Sequence, residues 1–209
     1  VVFSNLFKFD IENFPLYLLS GQVIFNFYSD ATNSAMSSIV SSASLIKKVY
    51  VPKYLFVLSH IFSSFINLMA SFTALILVMI ATRAELHWMT LLAPIPLILL
   101  VLFSLGVGLI LAAVTVKFRD IMHLYSVFIT ALMYLTPVIY PMSILPEWLS
   151  WIVKLNPITN ILIMFRNVMF YNTFLGWRAL AIAIIETGIM LTIGFWVFYK
   201  NQDSFILNL

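Results

Sequence analysis

Residues 54–82 contain no Asp, Glu, Lys or Arg, and neither do residues 86–116. As α-helix, a stretch of about 30 residues extends on the order of 40 Å, enough to cross the ~30 Å hydrocarbon core of a bilayer with tilt or overhang. A soluble core helix has no use for that length. Two short polar islands, at 83–87 and 117–123, set off three such apolar stretches. The pattern predicts an all-α, polytopic membrane protein, a single domain over residues 1–209.

Composition agrees. The chain is 63% hydrophobic and 9% charged, with a mean hydropathy of +1.06, where soluble domains carry roughly one charged residue in four. A net charge of +3 and a pI near 9.2 are the ordinary consequence of Lys and Arg in cytosolic loops. The basic residues form no patch, which argues against nucleic acid. With no cysteine there is no disulfide, thiolate nucleophile or Cys-based metal site. The first residue is Val1 and no signal-like segment precedes the first span, so further chain is expected upstream.

Five crossings are predicted, at 15–43, 54–82, 88–116, 124–140 and 178–199. Residues 1–14, with Lys8, Asp10 and Glu12, read as a loop at a membrane surface. Pro15 fits a first helical turn, and Pro137 and Pro141 break the fourth span. The stretch 141–177 is not counted as a crossing. Pro146-Glu147 opens a short helix at 148–155, and Asn156-Pro157 ends it. A second short segment, 158–171, holds Arg166 near its centre and Asn160, Asn167 and Asn172 on one side. An arginine at mid-bilayer depth costs at least about 2.5 kcal/mol, so two interfacial or re-entrant helices are expected here.

This topology sets Lys47, Lys48, Lys53, Lys117, Arg119 and Lys200 on one face, and Lys8, Arg83, Lys154, Arg166 and Arg178 on the other. The first group is packed into short loops, which makes that face the cytosolic one.

The first span is unusually polar. Gln22, Asn26, Asp30, Asn33, Ser37 and Ser41 fall at spacings of three or four and therefore on one helical face. Lipid does not tolerate such a face. It either packs on neighbouring helices or lines a water-filled path, and the ionisable Asp30 favours the path. In the third span Ser104, Gly108 and Ala112 stand at i, i+4 and i+8, a spacing that lets helix backbones approach closely. Glu186 in the last span is expected to meet a group on another helix. Around the breaks gather Tyr134, Tyr140, Trp148, Trp151, Phe165, Phe170, Tyr171 and Trp177. They form either an interfacial belt or, for Tyr140, Trp148 and Trp151, flat faces that guide a sugar chain, with Arg166 at hand for a phosphate oxygen. Catalytic machinery is not visible. Asp10 and Glu12 are the only close carboxylates, the three histidines are far apart, and no GxxxxGK[ST] loop exists.

These islands resemble those of the permease subunits of type-2 ABC exporters that carry O-antigen, capsule or teichoic acid. Leu45, Ile46, Lys47, Lys48, Val49, Tyr50, Val51, Pro52 and Lys53 resemble the family's cytosolic coupling helix. Phe118-Arg119-Asp120 resembles the Phe-Arg-Asp after its fourth span. Residues 135–140, Leu-Thr-Pro-Val-Ile-Tyr, and Asn156-Pro157 with Arg166 resemble its outer gate. The likeness runs in order along nearly the whole chain. It implies six spans per full subunit, with an interface helix and first span upstream of Val1. It also implies a second copy of the chain and separate ATP-binding cassette subunits that hold ATP and Mg, so that the chain is not itself an enzyme. The cargo would be a lipid-linked glycan, and the place a bacterial inner membrane. Coupling would fall to Lys47, Lys48, Tyr50 and Pro52, supported by the rest of both islands, and the path to Gln22, Asn26, Asp30, Asn33, Tyr134, Tyr140, Trp148, Trp151 and Arg166. Three alternatives remain: an exporter of small drugs or lipids, an ATP-independent carrier or channel with Asp30 and Glu186 as ion-coupling groups, and a membrane-embedded glycan transferase.

Overall fold

A computed structural model describes residues 14–49, 51–84 and 87–205. Lys8, Asp10, Glu12, Tyr50 and Glu85 lie outside the described residues. Among those described, eight α-helices and three 3₁₀ turns occur and no strand. The helices are α1 Phe14–Ser41, α2 Ala43–Ile46, α3 Tyr54–Ala81, α4 Pro94–Lys117, α5 Ile121–Leu135, α6 Glu147–Lys154, α7 Pro157–Met169 and α8 Trp177–Asn201. A 3₁₀ turn, Trp88–Leu92, leads into α4.

Helix α4 sits at the centre, between α1 and α8, and α3 packs on α1 and also touches α4. Small residues explain why. Ser104 and Ala112 are fully buried, and a methyl group added at Gly108 would lie 2.7 Å from the Cβ of Ala35 on α1. The small-residue spacing read from the sequence therefore faces α1. A second small face, which the sequence reading did not single out, meets α8. There Gly106 and Gly194 lie backbone to backbone, and a Cβ on Gly106 would come within 2.7 Å of the Met190 carbonyl carbon. Gly194→Ala is expected to drive its methyl into the Gly106 carbonyl oxygen and to cost about 1–3 kcal/mol. Thermal unfolding in detergent checks this, and an unchanged midpoint would refute close backbone contact as the basis of the α4–α8 pair.

The five predicted crossings differ in how well length and apolarity support them. Among the described residues, three helices are long and apolar enough to cross a bilayer: Tyr54–Ala81, Trp88–Lys117 and Trp177–Ser204. Helix α1 has 28 residues and ample length, but its polar stripe makes it less apolar than those three. Helix α5 has only 15 residues, about 22 Å, because Thr136 leaves helical geometry ahead of Pro137.

The segment 146–171 forms two short helices broken at Asn156-Pro157, as expected. Helices α6 and α7 meet at 92°, a broken span or a re-entrant pair. The turn is built by Asn156, whose side-chain oxygen accepts from the Ile158 N–H at 3.0 Å, and by Pro157, which fills the first turn of α7 without a missing partner. Helix α7 is buried against α1, α4 and the 3₁₀ turn, with Phe165 edge-on to Phe72 at 6.1 Å. The chain then reverses at Asn172 (φ 46°) and Gly176 (φ 76°), left-handed conformations in which glycine and asparagine are the least strained residues.

Candidate functional site

Arg166 is the clearest correction. The sequence placed it on the path as a ligand for phosphate, but it is 3% exposed and committed to the protein. Its Nε donates to Ser20 Oγ at 3.2 Å, Nη1 to the Pro137 carbonyl at 2.7 Å, and Nη2 to the carbonyls of Tyr17 at 2.9 Å and Val138 at 3.0 Å. The guanidinium also lies 3.5 Å from the centroid of the Tyr17 ring. Gly21 permits this approach, because a side chain there would meet Arg166 Nη2 at 2.7 Å. Where α5 ends, the backbone loses its helical partners, and unsatisfied carbonyls at membrane depth cost several kcal/mol each. Arg166 supplies the donors. Two further bonds secure the same break: Asn156 Nδ2 donates to Thr136 Oγ1 at 3.0 Å, and Tyr17 Oη donates to the Tyr140 carbonyl at 3.0 Å. The signal was available in the sequence: a proline-broken span needs donors, and an arginine in the next buried helix can give several.

The polar face of α1 opens onto a cavity of about 280 Å³ between α1 and α3. Gln22, Asn26 and Asp30 line it from α1, and Ser64, Asn67 and Ser71 from α3. Asn26, Asp30, Asn67 and Ser71 are exposed. The sequence reading did not single out the α3 contribution, although Ser59, Ser63, Asn67 and Ser71 repeat every four residues. The lower end of the α1 stripe is turned inward on its own helix. Asn33 donates to the Ser29 carbonyl at 2.8 Å, Ser37 to that of Ser34 at 3.1 Å, and Ser41 to that of Ser38 at 3.1 Å. On the other flank of α1, Tyr125 of α5 donates to Thr32 Oγ1 at 2.7 Å, so α3 and α5 border the same helix.

The aromatic candidates divide. Trp148 and Trp151 are 67% and 73% exposed, and Tyr134 stands out from α5. Tyr140 is half-buried, its hydroxyl donating to the Tyr134 carbonyl at 2.8 Å, so it braces the break rather than standing free. Glu186 does face another helix, with the Asn160 amide of α7 beside it.

The first island is mostly turn. Among its described residues only Ala43–Ile46 is helical, because Pro52 disfavours helix at the residue before it and two β-branched valines flank Tyr50 in the sequence. Lys47, Lys48, Val49 and Pro52 are exposed and Leu45 is half-exposed, whereas Ile46 is buried in the core. Lys53 is drawn inward, its ammonium donating to the Gln202 carbonyl at 2.6 Å and lying 5.8 Å from the Phe205 ring. Ile46 and Lys53 are thus structural residues and not part of an outward surface. In the second island Phe118, Arg119 and Asp120 are all exposed, around a shallow depression of about 670 Å³ that also includes Lys117 and Leu124.

Residues 1–170 match the model of a family described as ABC-2 type transporter. The chain belongs to that family. ABC-2 membrane chains are transport subunits, and ATP hydrolysis is carried by a separate ATP-binding partner. This ABC-2 chain is also similar to three proteins named O-antigen export system permease protein RfbA. Two come from Klebsiella pneumoniae, 28% and 26% identical, and one from Myxococcus xanthus, 23% identical. Each alignment covers 98% of this chain and 79% or 80% of the relative.

Proposed function

We propose that this ABC-2 chain is the membrane subunit of an ATP-driven exporter that moves a lipid-linked polysaccharide of the O-antigen type across a bacterial cytoplasmic membrane. It works as a pair with a second copy and two ATP-binding subunits. The observation that carries the reading is the row of polar groups that α1 and α3 set into a cavity whose remaining lining, Leu19, Val23, Phe27, Leu68, Leu75 and Val78 among it, is apolar. A carboxylate and several amide and hydroxyl groups stand exposed there in a chain that is otherwise apolar. Hydroxyls of a sugar chain pair with such groups, while a greasy drug gains nothing from them and lipid tails penalise them. The RfbA relatives support the same cargo, and membership of an ABC family argues against an ATP-independent carrier.

In the cycle, closure of the ATP-binding subunits presses on the exposed turns of both islands, Lys47, Lys48 and Pro52 in the first and Phe118, Arg119 and Asp120 in the second. The helices attached to those turns shift, and the polar face of α1 becomes continuous from one side to the other.

A deletion strain tests this reading. Completed glycan is expected to accumulate in the cytosol, and the native gene to restore export. A variant carrying Asn26→Leu and Asn67→Leu is expected to reach the membrane and to export several-fold less. Normal glycan export in the deletion strain would refute the polysaccharide assignment.

A further inference from the structure

The C-terminal end of α8 touches both islands. Asn201 Oδ1 accepts from the Lys117 ammonium at 2.6 Å, at the root of the second island. One residue later the Gln202 carbonyl accepts from the Lys53 ammonium, also at 2.6 Å, at the end of the first. The 3₁₀ turn Gln202–Ser204 then folds the chain back and plants Phe205, which is fully buried. Its ring meets that of Phe198 edge-on at 5.3 Å and shares a core with Ile46 of the first island, Val57 at the start of α3 and Val116 at the end of α4. Lys53 and Lys117 are 64 positions apart in the chain yet are held by adjacent residues of one turn.

We propose that the turn Asn201–Phe205 is a clasp that fastens the two islands into one rigid body, so that a push received by either is delivered to α8 and α4 together. Asn201 and Phe205 are positioning residues and touch no cargo. The buried aromatic ring supplies the anchor, and the two ammonium groups bridge outward from it. Two lysines otherwise free in solvent are thereby ordered, at an entropic cost that the charge-assisted bonds and the ring contact offset. Without the clasp each island moves on its own loop, and work done on the first is dissipated before it reaches the last span.

This inference rests on the exporter reading for its transport readout but has one that does not. The chain has no cysteine, so a double variant Lys117→Cys with Asn201→Cys, assembled with its ATP-binding subunits, carries one engineered pair in each copy of this chain. A short bis-maleimide is expected to bridge each pair with equal yield in nucleotide-free and ATP-trapped complex, and the bridged complex, its lost Lys117–Asn201 bond replaced by a covalent one, to export several-fold more glycan per ATP hydrolysed than the same variant untreated. A bridging yield that drops in one state, or, in a complex that exports glycan, export per ATP that does not rise on bridging, overturns the clasp. In parallel, Asn201→Leu and Phe205→Ala are each expected to lower glycan exported per ATP hydrolysed several-fold. Asn201→Asp, which keeps an acceptor for Lys117, is expected to restore it. An unchanged ratio in Asn201→Leu and Phe205→Ala overturns the proposal, as does failure of Asn201→Asp to rescue. Equal bridging in a complex that exports no glycan would sink the cargo assignment alone.

Discussion

Arg166→Met is expected to leave very little folded protein in the membrane. The substitution preserves the apolar stem and volume of the side chain but withdraws the four guanidinium bonds that serve the break after α5. The Pro137 and Val138 carbonyls lose the bonds Arg166 supplies, and Tyr17 and Ser20 lose one each. An orphaned buried carbonyl costs about 1–3 kcal/mol, so two cost about 2–6 kcal/mol in a fold whose net stability is on the order of 5–15 kcal/mol. Arg166→Lys is expected to rescue only partly, since one ammonium cannot reach four acceptors arranged around a planar fork. The measurement is the amount of membrane-inserted protein together with its unfolding midpoint in detergent. A stable Arg166→Met protein that had lost transport alone would return the residue to the path on which the sequence placed it.

The second large effect is on coupling. With Lys47 and Lys48 both changed to Glu, export per ATP hydrolysed is expected to fall at least about tenfold, equivalent to ~1.4 kcal/mol. Both side chains are exposed on a turn, and substitutions at such sites usually change stability by less than about 0.5 kcal/mol. The protein should therefore remain in the membrane at its normal level. What changes is a surface whose charge swings from two positive to two negative, and like-charge or mismatched contacts at an interface are costly. Export undiminished in the double variant would remove the first island from the coupling surface.

These two residues and Arg166 mark the boundary of what the sequence made legible. The uncharged stretches announced helices because nothing else accommodates so many apolar residues in a row. Pro146, Asn156 and Pro157 announced the α6–α7 bend because proline and asparagine act on the backbone locally. Lys47 and Lys48 were found as exposed cations between two spans for the same local reason. Arg166 was misplaced because its partners lie on α1 and after α5, and sequence distance hides which acceptors fold around a donor. Lys53 and Ile46 were assigned outward for the same reason: nothing in 45–53 reveals that the chain end, some 150 positions on, folds back beneath them. The α3 contribution to the cavity was overlooked because serines and one asparagine do not interrupt an apolar run, although their four-residue repeat points to one side.

The exposed amides and carboxylate along α1 carry one further consequence. A single chain offers a gutter with an open side, flanked by α3 and α5, and a gutter cannot keep a hydrophilic strand away from oil. Whatever slides along Asn26 and Asp30 must be roofed by some other surface of comparable wetness. On the exporter reading proposed above, two copies in a bilayer would each lower the cost of holding Asp30 against lipid by turning that side to one another around a shared aqueous space.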